Sequence, residues 1–274
     1  MKMKWSKRYS RMVERNIGIL TEKEQDKLKN SCVAIFGVGG LGGVIAEILT
    51  RVGVGSLRIV DKDSFDITNL NRQIFAFSST IGKRKVDVTE RFLKDINPEL
   101  KVYKFDSCNE KNIKKMLRKA NVAVLALDEF KAYVMIERIA RKLKIPVVEG
   151  WAIIYGNVRV FTEKTPSLEE VYGLPTKGKA LDFFSEEEFR KLHAKVIYSL
   201  SKIEDISKFY SPRALKKMII GELSARTFAP TVWLTAVMMA NETIKIILGR
   251  KRISLAPRYA LYDPFFERIP EQKL

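Results

Sequence analysis

Short apolar runs alternate along this chain with stretches in which apolar residues recur every three or four positions. Runs at 33–36, 57–60, 102–105, 122–127 and 146–149 have the length and β-branched content of buried strands. Between them, 83–96, 111–119 and 132–143 carry helical spacing. After the first run, Leu41, Val44, Ile45, Ile48, Leu49 and Val52 fall on one helical face, and Gly53 ends that helix. Such alternation predicts an α/β fold, a mostly parallel sheet with helices on both faces. Ligands in such sheets bind at the carboxyl ends of the strands, where Asp61, Asp128 and the turn after 33–36 all fall.

The second half changes character. Residues 151–161 hold two short alternating runs split by Gly156-Asn157, which predicts a small antiparallel hairpin. Residues 162–221 are polar and lysine-rich, broken early by Pro166, Gly173, Pro175 and Gly178, with helical patterns at 186–200 and 213–220. A structureless loop of that length is improbable in a compact domain, so a helical insertion or lid is expected. Ala229-Pro230 opens a long helix over 231–248, and 258–262 reads as a last strand. The expected organisation is an N-terminal helical arm (1–30), a nucleotide-binding domain (31–161), a basic helical insertion (162–228) and a helix and strand that complete the main domain (229–274).

Composition narrows the class. With 274 residues, 46% hydrophobic and 30% charged, the chain suits a soluble globular protein. The most apolar stretch, 231–248, contains Asn241, Glu242 and Lys245 and reads as a partly buried helix, not a membrane span. The first ten residues are basic without the apolar stretch of a secretory signal, so a cytoplasmic location is expected. Two cysteines, Cys32 and Cys108, exclude a disulfide framework and a four-thiolate zinc site. Cys32 opens the first strand as a small hydrophobe, and Cys108, in a polar stretch after the third strand, has two readings, a bland surface residue ahead of a reactive thiol. The one histidine, His193, sits among charged residues, which argues against a histidine-based triad or metal centre. A net charge of +18 admits nucleic acid or an acidic protein as partner and equally the lysine-rich surface of a heat-adapted protein, since no aromatic-interleaved basic motif marks a binding face.

The chemistry concentrates in one half. Gly37-Val38-Gly39-Gly40-Leu41-Gly42 follows the first strand with the spacing of a phosphate-binding turn: Gly37 for the turn, Gly39 for close phosphate approach, Gly42 for packing helix on strand. Asp61 ends the second strand, where a carboxylate can accept from ribose hydroxyls. These features alone say adenine nucleotide. Asn69-Leu70-Asn71-Arg72-Gln73 and Gly82-Lys83-Arg84-Lys85 add more, because a dinucleotide dehydrogenase needs no arginine and lysine there. An enzyme handling a triphosphate does, since the arginine fork and the lysine point charge can hold phosphate oxygens.

Together with RYSR at 8–11, DKD at 61–63 and INP at 96–98, these motifs resemble the ThiF/MoeB/HesA family, the group related to ubiquitin-activating enzymes. The resemblance runs from about 8 to 161 and resumes near 229–248. It implies a Rossmann-like sheet that binds ATP, usually within a homodimer, and adenylation of a carboxylate, commonly the C-terminal glycine of a ubiquitin-like sulfur carrier protein. It further implies that Gly37, Gly39, Gly40, Leu41 and Gly42 form the phosphate loop, and that Asp61 and Asp63 serve the nucleotide, Asp61 at the ribose. Asn69, Arg72, Gln73 and Lys85 take the triphosphate, Asp128 holds Mg2+, and Arg11 enters the partner subunit's site. Arg11, Arg72, Lys85 and Asp128 are thus the expected catalytic set.

A terminal carboxylate, with a pKa of about 3.3–3.7, is ionised at neutral pH and attacks phosphorus without a general base. The chain departs from the family in two ways. It lacks the two cysteine pairs that hold structural zinc, and it has no cysteine after Asp128 to carry a thioester, which implies direct transfer of the acyl adenylate. A relative within the family acts on a threonylcarbamoyl group of transfer RNA, a second reading that +18 favours. An NAD-dependent oxidoreductase or a non-catalytic nucleotide-binding protein are the alternatives of other classes.

Overall fold

Residues 5–201, 211, 213, 217 and 226–262 are described in the computed structural model of the chain. Strands β1 (Cys32–Phe36), β2 (Ser56–Val60), β3 (Lys101–Phe105), β4 (Val122–Leu125), β5 (Val147–Glu149), β6 (Gly156–Phe161) and β7 (Ala260–Tyr262) form one seven-stranded sheet in the order β3-β2-β1-β4-β5-β6-β7. From β3 to β5 every pairing is parallel, while β5–β6 and β6–β7 are antiparallel. The order reverses direction between β1 and β4, and a crevice opens there at the carboxyl ends of the strands. The expected Rossmann-like architecture with an antiparallel edge is therefore present.

The helices are α1 (Lys7–Met12), α2 (Glu22–Lys29), α3 (Gly40–Arg51), α4 (Lys85–Ile96), α5 (Glu110–Leu117), α6 (Phe130–Lys142), α7 (Leu168–Tyr172), α8 (Glu186–Ser201) and α9 (Ala229–Leu248). Alternation along β1 sorts them into two layers. Val33 and Ile35 belong to a core shared with Ile45 and Leu49 of α3, Val86 of α4, and Val232, Ala236 and Met239 of α9. Ala34 and Phe36 face the other core, with Ile113 of α5, Ile136 of α6, Leu168 of α7 and Phe189 of α8. Because both faces are covered, β1 and β4 are apolar throughout instead of alternating with polar residues.

The long apolar helix α9 packs on α3 and β6 through Val232, Ala236, Met239 and Ala240, and turns Trp233 and Val237 outward. By length and composition it is the one described helix that could cross a membrane, and its buried face belongs to the core. The N-terminal arm is tied down by Tyr9, whose hydroxyl is buried, donates to Gly53 O at 2.6 Å and accepts from Gln25 Nε2 at 2.9 Å. Tyr9 of the RYSR motif is thus a packing residue.

Two details differ from the sequence reading. Gly156-Asn157 is not the turn of a hairpin; it opens β6, which pairs antiparallel with β5 on one side and, through Gly156 and Asn157, with β7 on the other, and residues 150–155 connect β5 to β6. The reason is the buried Asn157 side chain. Its amide donates to Trp151 O and Tyr155 O, both at 2.8 Å, and its oxygen accepts from Trp151 N at 2.7 Å, so it staples the connection to the strand from inside. Second, the helix expected over 213–220 lies largely outside the described residues. The last strand, expected over 258–262, is β7.

The junction of β1 and α3 leaves no room for a side chain. A Cβ on Gly42 would lie 1.8 Å from Gly37 O and 3.2 Å from Ile35 Cγ2. Gly42→Ala is expected to destabilise the fold by about 1–3 kcal/mol, the usual cost of overpacking, read as a lower thermal midpoint and lower urea midpoint.

Candidate active site

The crevice is built on the turn that leaves β1. Gly37, at φ +92°, donates its N–H to Val60 O at 2.9 Å, and a Cβ there would sit 2.3 Å from Ala126 O. Only glycine fits this backbone between β2 and β4. Val38 N–H then donates to Asp61 Oδ2 at 2.9 Å, while Asp61 Oδ1 accepts from Asp63 N at 3.0 Å. Gly39 caps α3 without a side chain, so the amino end of that helix opens directly into the cleft with its unpaired N–H groups and positive dipole end.

Over this turn lie Arg72 and Gln73. A Cβ on Gly40 would be 3.6 Å from Arg72 Cγ, and one on Gly39 would be 3.5 Å from Gln73 Nε2. Arg72 is held by bonds from Nη1 to Thr68 O at 2.9 Å and to Asn71 Oδ1 at 2.8 Å, and its own carbonyl accepts from Trp233 Nε1 at 2.8 Å. Gln73 is buried, and its Oε1 has no partner among the described residues. Lys85, the first residue of α4, is only 6% exposed and pairs with Asp63 Oδ2 at 3.0 Å. It is therefore no ordinary solvated helix lysine. Burial pushes the Asp61 carboxyl up from its ordinary value, opposed by the Lys85 cation and the two N–H donors.

The cleft holds about 450 Å³. Of the residues anticipated from sequence, Gly37, Gly39, Gly40, Leu41, Asp61, Asp63, Arg72, Gln73, Lys85 and Asp128 line it. Three do not. Gly42 lies behind the turn, where it serves helix packing. Asn69 is spent as a local cap, its Oδ1 accepting from Asp66 N at 3.2 Å. Arg11 is exposed and paired with Glu14 at 3.5 Å, away from its own chain's cleft.

The far end of the cleft was not anticipated. There α6, the connection after β5, and α8 bring together Phe130, Tyr133, Trp151, Phe189 and His193. His193 stacks on Phe130 at 5.4 Å and 8°, and lies 5.5 Å from Trp151, which in turn stacks on Tyr133 at 5.0 Å. Charged neighbours of His193 in sequence conceal this, because α8 turns Phe189, His193 and Val196 inward and leaves its charges outside. Cys108 also lines the cleft instead of sitting on the surface, and burial, with Glu129 and Asp61 nearby, pushes its thiol up to about 12. The spacing of Phe189, His193 and Val196 on one helical face was the available signal.

Fold and cleft together define an α/β nucleotide-site protein of the doubly wound class. The chain belongs to the ThiF family, whose model matches residues 12–274. It is 25% identical over 252 residues to the molybdopterin-synthase adenylyltransferase of Haemophilus influenzae, covering 91% of this chain and 88% of that protein. Over 77 residues it is 54% identical to the tRNA threonylcarbamoyladenosine dehydratase of Bacillus subtilis, covering 28% of this chain and 30% of the relative. Other curated relatives are likewise matched over less than two thirds of their own length. Among solved structures, that of PaaA superposes with a TM-score of 0.71 at 22% identity, covering 98% of this chain and 84% of the other, and carries the fold alone. Membership of the ThiF group, expected from the six motifs, is thus met.

Lys85 supplies the buried cation of the cleft next to Asp61 and Asp63. Lys85→Met is expected to weaken ATP binding roughly 10- to 100-fold by removing that charge, measured by calorimetric titration with the fold checked by circular dichroism.

Proposed function

We propose that this enzyme transfers AMP from ATP to a carboxylate, releases pyrophosphate, and passes the acyl adenylate directly to an acceptor. One observation carries the reading: Arg72 and Gln73 lie over the amino end of α3 with the buried Lys85 on the same cleft wall. Helix N–H groups, a guanidinium and an ammonium lining one cleft suit the dense charge of a triphosphate. An NAD-dependent oxidoreductase would leave both cations without a role.

In this reading the incoming carboxylate is already ionised, so alignment and charge neutralisation are what the protein must supply. Arg72 and Lys85 balance charge on the departing pyrophosphate, Gln73 offers its amide N–H groups to the triphosphate, and Asp61 faces the ribose. Magnesium characteristically uses one or two carboxylates and completes its shell with substrate phosphates and water. The described residues contain no cluster of three His, Cys, Asp or Glu side chains, so they offer no all-protein metal cage. Asp128, an exposed carboxylate on the cleft wall, fits the looser requirement and would hold the ion. When bound, the ion would add neutralisation of phosphate charge.

The carboxylate is, in the first reading, the C-terminal glycine of a ubiquitin-like sulfur carrier protein. Similarity across 91% of the chain to a molybdopterin-synthase adenylyltransferase supports it. A second reading, a threonylcarbamoyl group on transfer RNA, is favoured by 54% identity over 77 residues to the dehydratase and by a net charge of +18. The absence of any cysteine after Asp128 supports direct transfer in either case. The enzyme works in the cytoplasm as a homodimer, and Arg11, exposed and outside its own cleft, completes the partner's site.

Stimulation of ATP–pyrophosphate exchange by a carrier protein ending in Gly-Gly, or by transfer RNA carrying the threonylcarbamoyl group, tests the activity; exchange with neither would overturn it. Arg72→Ala is expected to fold normally and lose at least about 100-fold in exchange rate, by loss of transition-state charge stabilisation. If Arg11 acts across the dimer, mixing Arg11→Ala with Arg72→Ala chains should restore about a quarter of the wild-type sites, since half the dimers are mixed and each has one complete site. No recovery on mixing would place Arg11 outside the reaction.

A further inference from the structure

Adenylation needs no base, but the step after it can. An N–H or O–H nucleophile attacking an acyl adenylate carries an extra proton until something removes it, whereas a thiolate does not. Most proton acceptors of the cleft are committed. Asp61 is held by the N–H groups of Val38 and Asp63, Asp63 by Lys85, and Glu129 by Lys62 at 3.1 Å. Cys108 and Tyr133 keep their protons at neutral pH, because burial pushes the thiol up to about 12 and the phenol well above its ordinary value. Asp128 is assigned to the magnesium ion, and Glu186 is an exposed carboxylate at the first turn of α8.

His193 is the group left. It is the one histidine of the chain, and α8 carries it into the cleft wall against Phe130 and Trp151. Stacking fixes the ring plane, and the imidazole makes no hydrogen bond to a described residue, so its nitrogens are available to a substrate.

We propose that His193 is the catalytic proton acceptor of the acyl-transfer step, serving an N–H or O–H nucleophile such as an amide or amine. The inference rests on the adenylation reading and deepens it, since a base is superfluous for a thiolate acceptor. The nucleophile's lone pair forms the bond to the acyl carbon while its proton passes to an imidazole nitrogen. The bond from that carbon to the AMP oxygen breaks, AMP departs with the electron pair, and the imidazolium returns its proton to solvent.

The test uses the full chain with transfer RNA carrying N6-threonylcarbamoyladenosine, comparing wild type, His193→Phe, which keeps a stacked ring, and His193→Gly. Exchange of pyrophosphate into ATP should stay within about twofold in both variants, while AMP release coupled to product should fall about 100-fold or more. Added imidazole should restore product formation in His193→Gly. Wild-type turnover by His193→Phe, or parallel loss of exchange and turnover without imidazole rescue, would overturn the role of His193 and leave adenylation standing. Exchange stimulated by a Gly-Gly carrier protein and not by the transfer RNA would overturn it too, because sulfur acceptors need no base. No exchange in wild type with either substrate would bring down adenylation itself, and this inference with it.

Discussion

The close contact of Gly42 with Gly37 O is the constraint on which the rest of the site depends. It lets α3 begin against the end of β1, so that the helix points its unpaired N–H groups out between β1 and β4, where the strand order reverses. Asp61 locks the same turn from the β2 side through Val38 N–H, and Ala126 closes it from the β4 side. Three strands therefore fix one short backbone loop. A site for a dense anion needs such preorganisation, because amides that must reorient on binding lose much of their electrostatic advantage.

Charge is arranged around that loop in layers. Lys85 is buried yet paired with Asp63, so the cleft carries a fixed cation without an isolated buried charge. Arg72 is half-buried and anchored by Thr68 and Asn71, which limits the rotamer entropy a ligand would otherwise have to overcome. Its backbone is tied by Trp233 to α9, so the helix that completes the core also steadies the segment over the glycine turn.

The opposite end of the cleft has another character. Aromatic rings from α6, the β5–β6 connection and α8 close it, backed by the buried pair Glu149–Arg159 at 3.2 Å and the Tyr172 hydroxyl that donates to Glu149 at 2.9 Å. Burial pushes Glu149 up from its ordinary value despite Arg159 beside it. That pair joins β5 to β6 beneath the cleft floor, so the antiparallel edge supports the site as well as extending the sheet.

Sequence alone determined most of the strands and helices, the glycine turn, and the presence of Arg72 and Lys85 on the chain segments that border it, because each follows from a local rule: apolar period and glycine's freedom at positive φ. Tertiary structure alone decided which partner each strand took, as with Gly156-Asn157, where a buried Asn157 side chain overrode a strong local turn signal. It also decided that Cys108 faces the cleft and that His193 belongs with Phe130 and Trp151. The placement of His193 depends on contacts with residues of two other elements far away along the chain, and the direction in which α8 lies across the sheet cannot be read from its own sequence. Local chemistry names the residues able to act; only packing determines which of them share a cavity.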